Sequence, residues 1–325
     1  MTMPPLAEWE PHDAVWIGFP SAADLWEDDL SPAQEEVAAF AAAVHADGQG
    51  EAIWLVAADE TAAARARALC PFARVIVEPF GDVWLRDTGA IVMGSGADRR
   101  AQGFGFNGWG DKYQLEGDDS IGERLADEAA LPYAKADWIL EGGAIDGDGT
   151  GTFLTTEQCL LNPNRNPGFD KDEVEARLKR DLGATRVVWL GDGLENDHTD
   201  GHVDNLARFV APGRVVIPEA EADDPNMEVY ADAAEALLDA ELEVVALPSP
   251  GRIEDEDGEP IPASYMNFYV GNATVVVPLY GAPNDDAAVA ALAEIFPDRR
   301  VVGLRADHVL TGGGSFHCLS QQVPK

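Results

Sequence analysis

Amphipathic helical stretches alternate with short apolar runs along most of this chain. One helical pattern begins at Ser31 and runs to about Val44, with Pro32 in its first turn and Gln34 at the capping-box position. The apolar run at residues 52–56 follows it and predicts a buried strand. Because helix and strand then recur in the same order, the pattern predicts a mixed α/β fold.

The alternation is regular enough to indicate a repeated unit. Further helices are expected to begin near residues 60, 120, 171, 226 and 285, which places successive starts 51 to 60 residues apart. Apolar strands are expected after them, at residues 74–77, 137–140, 186–190, 243–247 and 300–304. Paired apolar runs fill two of the intervals, at 206–210 with 214–217 and at 266–270 with 274–277.

Polar side chains follow equivalent strands of this repeat. Asp87, Glu141, His202 and Cys318 each come directly or soon after such a strand. If the units form a ring, these residues converge on its axis, so we predict one closed α/β domain over residues 1–325 with a central site. An open sheet with crossover helices has the same local signals and remains the alternative. We expect the acidic segment 253–258 to be a solvated loop.

Composition narrows the class of partner. The chain has 325 residues, 59 of them acidic and 22 basic, for a net charge of -37. This charge repels nucleic acid and favours a cationic substrate, although we attribute most of it to solubility or adaptation to salt. No apolar run is long enough to cross a membrane, and residues 1–5 do not begin an export signal, so we expect a cytoplasmic protein.

Three patterns resemble known binding sites but lack the necessary context. The glycine spacing at 103–108 matches a dinucleotide site, but no clear helix start follows it. Residues 146–157 imitate a calcium loop between strand-like segments, so a glycine-rich hairpin is the better interpretation. The segment 198–204 offers metal-ligand residue types, and a metal-dependent hydrolase is therefore an alternative; Gly201 weakens a helical presentation of its two histidines.

A glycine-flanked thiol is the strongest candidate for chemistry. Cys318 follows Gly312, Gly313 and Gly314, and a thiolate nucleophile needs a partner such as His202. Nearby carboxylates would raise the pKa of this thiol unless a cationic substrate neutralised them, and a guanidinium does so with its planar fork of N–H donors. The carboxylates concerned are Asp87, Glu141 and Asp204.

The remaining cysteines and histidines are expected to have other roles. Cys70 and Cys159 are interpreted as core thiols, Cys159 within an apolar strand. His317 would face away from Cys318 on an extended strand. The roles of His198 and Asp200 stay open, and no role is assigned to the other histidines, His12, His45 and His308.

Seven segments together resemble the agmatine deiminase family, within the bacterial-type peptidylarginine deiminase superfamily. The resemblance extends from Trp9 to Gln322. The segments are Trp9-Glu10-Pro11-His12, Trp84-Leu85-Arg86-Asp87-Thr88-Gly89, Leu140-Glu141-Gly142-Gly143, Asn162-Pro163-Asn164-Arg165-Asn166-Pro167, His198-Thr199-Asp200-Gly201-His202-Val203-Asp204-Asn205, Pro262-Ala263-Ser264-Tyr265-Met266-Asn267-Phe268-Tyr269 and Gly312-Gly313-Gly314-Ser315-Phe316-His317-Cys318.

The resemblance implies a five-bladed, pseudo-symmetric α/β propeller of the pentein type, without a metal or an organic cofactor. By position, Cys318 resembles the nucleophile, His202 the general acid and base, and Glu141 an orienting carboxylate. Asp87 and Asp204 resemble the pair that grips the guanidinium, and Trp84 is expected to pack against the substrate. Related enzymes often form homodimers.

The implied reaction is hydrolysis of agmatine, a small cationic guanidine, to N-carbamoylputrescine and ammonia through an amidino-cysteine intermediate. Deimination of arginine or peptidylarginine and transfer of the amidino group to an amine are alternatives on the same fold. A catalytically silent guanidine-binding protein is the alternative from another class, but every polar residue that the chemistry needs is present.

Overall fold

The strands of this protein are arranged in small, separate sheets. The computed structural model describes residues 2–221, 223–255 and 258–325, and in these residues it contains five sheets, one of four strands and four of three strands. In spatial order the strands are Ser320–Pro324, His12–Phe19, Ala52–Ala57 and Arg74–Val77; Ile91–Met93, Arg100–Gly105 and Tyr133–Ile139; Ile145–Gly147, Thr152–Thr156 and Arg186–Leu190; Arg208–Ala211, Arg214–Glu219 and Glu243–Pro248; and Tyr269–Val270, Thr274–Leu279 and Arg300–Arg305.

Each sheet is built in the same way. Its first two strands pair antiparallel, and the pairs after them are parallel, which requires a crossover connection. Helices supply these crossovers, and the pattern is the repeated unit that the sequence predicts. The crossover helices are Leu30–His45, Glu60–Leu69, Ile121–Glu128, Lys171–Leu182, Met227–Asp239 and Asp285–Ile295.

Local chemistry explains where such a helix begins and ends. In Lys171–Leu182 the Asp170 side chain accepts a hydrogen bond from the Glu173 N–H at 3.0 Å, which satisfies a free donor at the first turn. Gly183 ends the helix in the left-handed conformation, with φ of 68°. Val174, Leu178 and Leu182, four residues apart, form its buried face.

The chain closes on itself. The strand Ser320–Pro324 pairs antiparallel with His12–Phe19, with Ile17 opposite Ser320 and Val15 opposite Gln322. The two ends of the sequence therefore lie in one sheet. This closure confirms the ring over the open sheet and gives the expected five-bladed α/β propeller.

The structure corrects some expected boundaries. The first crossover helix begins at Leu30 rather than after Ser31, and no side chain caps it; Gln34 instead donates its Nε2 hydrogen to the Pro20 carbonyl at 2.8 Å. The strand expected at 137–140 covers Tyr133–Ile139, and the run at 266–270 divides into the 3-10 turn Tyr265–Asn267 and the strand Tyr269–Val270.

The segment 146–157, which imitates a calcium loop, lies in a hairpin. Its strands Ile145–Gly147 and Thr152–Thr156 pair antiparallel, as expected. Glu256 and Asp257, in the segment predicted to be a solvated loop, lie outside the described residues. None of the helices in the described residues is both long and apolar enough to pass through a membrane.

Candidate active site

The predicted residues come from connections that leave four different sheets. Asp87 lies in the short helix Leu85–Thr88, and Glu141 precedes the 3-10 turn Gly142–Ala144. His202 precedes the turn Val203–Asn205, and Cys318 lies in the turn that leads into the closing strand. All four side chains are buried, and the distances below show that the structure brings them together.

Cys318 is held by an amide and a carboxylate. The Asn267 Nδ2 group lies 3.0 Å from Cys318 Sγ, and the sulfur lies 3.6 Å from Asp204 Oδ2. Burial raises the pKa of the Cys318 thiol well above its ordinary value, and the charges of Asp204 and Asp87 raise it further. Without a bound cation, Cys318 is therefore a neutral thiol.

His317 does not face away from this site, so that prediction is wrong. The segment around it is a turn rather than an extended strand, and both ring nitrogens meet carboxylates. His317 Nδ1 lies 2.7 Å from Asp204 Oδ2, and Nε2 lies 2.8 Å from Glu8 Oε2. Although burial opposes ionisation of Asp204, its bond to His317 lowers the pKa of this carboxyl, so Asp204 remains charged beside the thiol.

Asp87 and His202 form a second pair. Asp87 accepts hydrogen bonds from the Gly143 N–H at 2.9 Å and from the Trp109 indole at 3.0 Å. Its Oδ1 lies 3.7 Å from His202 Nδ1. Burial acts against a charged His202 ring, but Asp87, Cys159 and Glu141 outweigh it and raise the pKa of His202 well above its ordinary value. His202 is therefore an imidazolium, a proton donor, in the free site.

Glu141 is oriented by an arginine that sequence reasoning left without a role. Arg165 donates from Nε to Glu141 Oε1 at 2.9 Å, and its other nitrogens donate to Asp200 and to the Thr199 carbonyl. Asp200 also pairs with Lys112 at 2.5 Å. Asp200 thus fixes Arg165 and the turn before His202.

Gly143 leaves open the space between the charged groups. A Cβ at this position would lie 2.6 Å from His202 Nδ1, 2.9 Å from Asp87 Oδ1 and 3.1 Å from Asp204 Oδ2. Any side chain would therefore enter the space that these three groups surround.

An open cavity of about 340 Å³ leads to Cys318. Trp84, Trp26 and Trp109 line it, and the first two rings lie 6.2 Å apart. The glycines before Cys318 permit this wall, because a Cβ on Gly312 or Gly314 would lie 2.9 Å or 2.6 Å from the Trp84 ring. The backbone at these glycines therefore lies close to the indole rings.

The mouth of the cavity is polar. Glu27, Asp28 and Asp29 line it together with His198 and Tyr113. The Tyr113 hydroxyl lies 2.9 Å from His198 Nδ1, so His198 lies at the mouth, bonded to tyrosine. In the described residues His198 and His202 belong to no common group of metal-ligand atoms, so the paired-histidine metal site has no structural support.

One buried carboxylate, Asp82, holds two of the cavity's indoles. Its Oδ2 accepts the Trp84 indole hydrogen at 2.6 Å, and its Oδ1 accepts the Trp26 indole hydrogen at 3.2 Å. Burial raises the pKa of Asp82 from 3.8 to about 7. The Asp82 carboxyl therefore fixes the aromatic wall of the cavity. Its ionisation lowers the free energy of unfolding, because the charge is buried.

We expect Asp82→Asn to flatten the pH dependence of stability. Since the raised pKa lets the folded state bind a proton that the unfolded state has lost, the free energy of unfolding should fall as pH rises from about 4 to about 7. One such proton contributes at most about 1.4 kcal/mol per pH unit. Urea unfolding across this range measures the slope. The exposed Asp239→Asn control should keep the wild-type slope, and an equal slope in Asp82→Asn would contradict this role.

The sequence analysis did not predict several residues that contact the site. Asn267 and Arg165 lie within two of the family-like segments, which was the available signal for them. Cys159 lies in the short helix Glu157–Leu160 rather than in a strand, and although it is buried as expected, its thiol is beside His202 and Glu141. No signal in the sequence predicted that contact.

Known proteins match this chain over nearly its whole length. The family model of Porphyromonas-type peptidyl-arginine deiminases matches residues 3–324. An agmatine deiminase of Stutzerimonas stutzeri is 38% identical, with 98% of this chain and 94% of that protein covered. The structure of an Enterococcus faecalis agmatine deiminase superposes with a TM-score of 0.92 at 32% identity, covering 100% of this chain and 96% of the other.

A further solved structure includes a ligand. It is a cysteine-to-serine variant of a C. jejuni agmatine deiminase with substrate bound, and it matches with a TM-score of 0.88 at 28% identity. The match covers 99% of this chain and 96% of that protein. With full-length agreement in sequence, fold and family model, this chain belongs to the Porphyromonas-type peptidyl-arginine deiminase family.

Proposed function

We propose that the protein hydrolyses agmatine to N-carbamoylputrescine and ammonia, with Cys318 as the nucleophile. One observation carries the choice of substrate: the cavity leading to Cys318 is lined by five aspartate and glutamate side chains and, among the described residues, by no lysine or arginine. Agmatine is cationic at both ends and suits such a cavity. The agmatine deiminases of S. stutzeri and E. faecalis, which this chain resembles throughout, support the same reaction.

The guanidinium binds in the space beside Gly143. Asp204 Oδ1 and Glu141 Oε2 are buried and have no hydrogen-bond partner among the described residues, so both are free to accept N–H groups. Asp87 faces the same space with its Oδ1. A planar guanidinium satisfies these acceptors and neutralises their charge. Trp84 packs along the bound substrate from the cavity wall.

Substrate binding activates the thiol. In the free site burial and the two aspartates hold the pKa of Cys318 high. A guanidinium between those aspartates reverses their effect, the thiol releases its proton to solvent, and the thiolate forms next to the carbon that it attacks. The enzyme thus makes a strong nucleophile mainly when the cation is present.

The chemistry proceeds in two halves around His202. The Cys318 thiolate adds to the guanidinium carbon, the His202 imidazolium protonates a nitrogen, and ammonia leaves with its electron pair. An amidino-thioether remains on Cys318. Neutral His202 then takes a proton from water as the water attacks that carbon, and collapse expels the thiolate and yields the carbamoyl product. Glu141 orients the reacting groups, and no cofactor is needed.

The carboxylate-lined cavity separates agmatine from the other candidate guanidines. The far end of free arginine carries a carboxylate as well as an ammonium and has no net charge, whereas the far end of agmatine is a cation that Glu27, Asp28 and Asp29 attract. A peptide arginine would have to pass its backbone through the same cavity. An amidinotransferase would use an amine in place of water in the second half-reaction.

Ammonia release from agmatine, arginine and a peptide ending in arginine tests this function. We expect kcat/KM for agmatine to exceed that for arginine by roughly 100-fold, because only agmatine presents a net cation to the acidic mouth. Comparable rates with arginine would overturn the choice of substrate. Product analysis in the presence of an added amine that agmatine does not itself contain, such as methylamine, should show no new guanidine.

Gly143→Ala tests the position of the guanidinium. Because the added Cβ enters the space between Asp87, Asp204 and His202, we expect kcat/KM for agmatine to fall by roughly 100-fold. Gly191→Ala is the matched control, since a Cβ there meets no atom within 4 Å. Normal kinetics in Gly143→Ala would place the substrate elsewhere.

Other features of the protein stay predictions. We propose that residues 1–325 form a single domain around this site, that the enzyme acts in the cytoplasm, and that it assembles as a homodimer. Neither nucleic acid nor membrane is expected to be a partner, and the charge of -37 supports the first of these.

A further inference from the structure

A second thiol, that of Cys159, lies beside His202 and Glu141. Glu141, Cys159 and His202 each contribute one ligand-type atom, and these three atoms lie within 4.8 Å of one another. All three residues are buried. We call this group the Cys159 cluster; it does not contain Cys318.

Two residues of the cluster have polar atoms without a hydrogen-bond partner in the described part of the chain. Glu141 Oε2 and both ring nitrogens of His202 have no hydrogen-bond partner among the described residues. Arg165 occupies only Glu141 Oε1, so Oε2 has no partner among the described residues. Buried polar atoms normally have hydrogen-bond partners, and the bound substrate supplies such partners during turnover. When substrate is absent, they are available to another cation.

The ligand chemistry fits a soft divalent cation. Thiolate, imidazole and carboxylate are the ligands that Zn²⁺ takes in proteins, and four-coordinate zinc spaces its ligand atoms about 3.5 Å apart. Small side-chain movements would bring three atoms now within 4.8 Å to that spacing. Asp87 Oδ1, 3.7 Å from His202, adds negative charge, and Asp87 lines the cavity through which an ion would arrive.

We propose that the Cys159 cluster binds a thiophilic divalent cation of the Zn²⁺ or Cd²⁺ type, and that this cation excludes the guanidine substrate. The cation forms bonds to Cys159 Sγ, one His202 nitrogen and Glu141 Oε2, and the thiol and imidazolium each release one proton to solvent. That the cation inhibits the enzyme rests on the proposed function, whereas the binding of the cation to the Cys159 cluster does not.

Cadmium titration tests the binding without relying on turnover. The cation is followed by its ultraviolet thiolate-to-cadmium charge-transfer band in the Cys318→Ala protein, which removes the nucleophile as a ligand. We expect about one Cd²⁺ per chain in this protein. Adding Cys159→Ala should abolish the band and weaken binding by roughly 100-fold or more, whereas adding Cys70→Ala should leave both unchanged.

Each outcome decides the proposal. A band that disappears with Cys318→Ala alone would assign the metal to the nucleophile and overturn the proposal, as would a band that persists without Cys159. Should the Cys159→Ala double variant not fold, as judged by circular dichroism, competition in the Cys318→Ala protein replaces it. Guanidinium ion and agmatine should each displace Cd²⁺, and failure of both to do so would overturn the shared site.

The inhibitory consequence is measured separately in the wild type. Zn²⁺ should raise the KM for agmatine without changing kcat, and agmatine should protect the enzyme. If the cadmium experiments succeed but no guanidine is turned over, the binding site stands and the proposed function fails. If agmatine is turned over but no Cys159-dependent band forms, only the metal proposal fails.

Discussion

Cys318→Ala is expected to lower kcat for agmatine by roughly 10⁴-fold or more while leaving the protein folded. The substitution removes the atom that forms the covalent bond, and loss of a nucleophile removes nearly all of the catalysis that a coupled group of residues provides. The thiol is small, and its bonds to Asn267 and Asp204 are two among many in this region. We therefore expect a change of about 1 kcal/mol in the free energy of unfolding.

The matched control for this variant is Cys70→Ala. Cys70 is also buried, at 0% exposure, but it lies at the end of the helix Glu60–Leu69 and lines no part of the cavity. It should retain wild-type turnover. Ammonia release is the measurement for both proteins, with thermal unfolding as the check on folding. Undiminished ammonia release by Cys318→Ala would exclude the thiol mechanism.

Asp87→Asn and Asp204→Asn should each weaken both substrate capture and chemistry. Each change removes a buried charge that faces the guanidinium, and truncating one partner of such a pair typically costs about 2–5 kcal/mol. Asp204→Asn should have the larger effect, because Asp204 also contacts Cys318 and takes part in the bond with His317. Steady-state kinetics should show a higher KM together with a lower kcat.

The two variants also test the effect of the two carboxylates on the pKa of the Cys318 thiol. Because Asp204 and Asp87 raise the pKa of Cys318, each variant should lower the pKa of the free thiol, which the pH dependence of alkylation by iodoacetamide reports. Asp13→Asn, on the exposed surface, is the control and should change neither quantity. Normal KM and kcat in both variants would remove the aspartates from the guanidinium site.

The repeat was predictable because its signals are local. Apolar periodicity and strand composition each depend on a few neighbouring residues, so the helices at Glu60–Leu69, Lys171–Leu182 and Asp285–Ile295 were expected at their observed starts. The closing pair of strands was different. His12–Phe19 meets Ser320–Pro324 across the full length of the chain, and no local pattern encodes that partnership.

The same distinction applies within the site. Glu141 and His202 follow regular strands and could be placed from the repeat. The orientation of His317 could not, because His317 lies in a turn, and side chains alternate between two faces only in a strand. The sequence predicts Cys159 to be an ordinary core thiol because its neighbours are apolar and most cysteines are buried. Its contact with His202 arises because both residues follow neighbouring parallel strands of one sheet, Thr152–Thr156 and Arg186–Leu190, and a single sequence does not reveal how the two connections fold.

The covalent intermediate on Cys318 is the most direct test of the account. Acid quenching of the wild-type enzyme during turnover of agmatine, followed by proteolysis and mass spectrometry, locates any attached group. The account predicts that the peptide containing Cys318 gains the mass of agmatine less ammonia, and that Cys70 and Cys159 stay unmodified. Turnover with no adduct on Cys318, or an adduct on Cys159 instead, would contradict it.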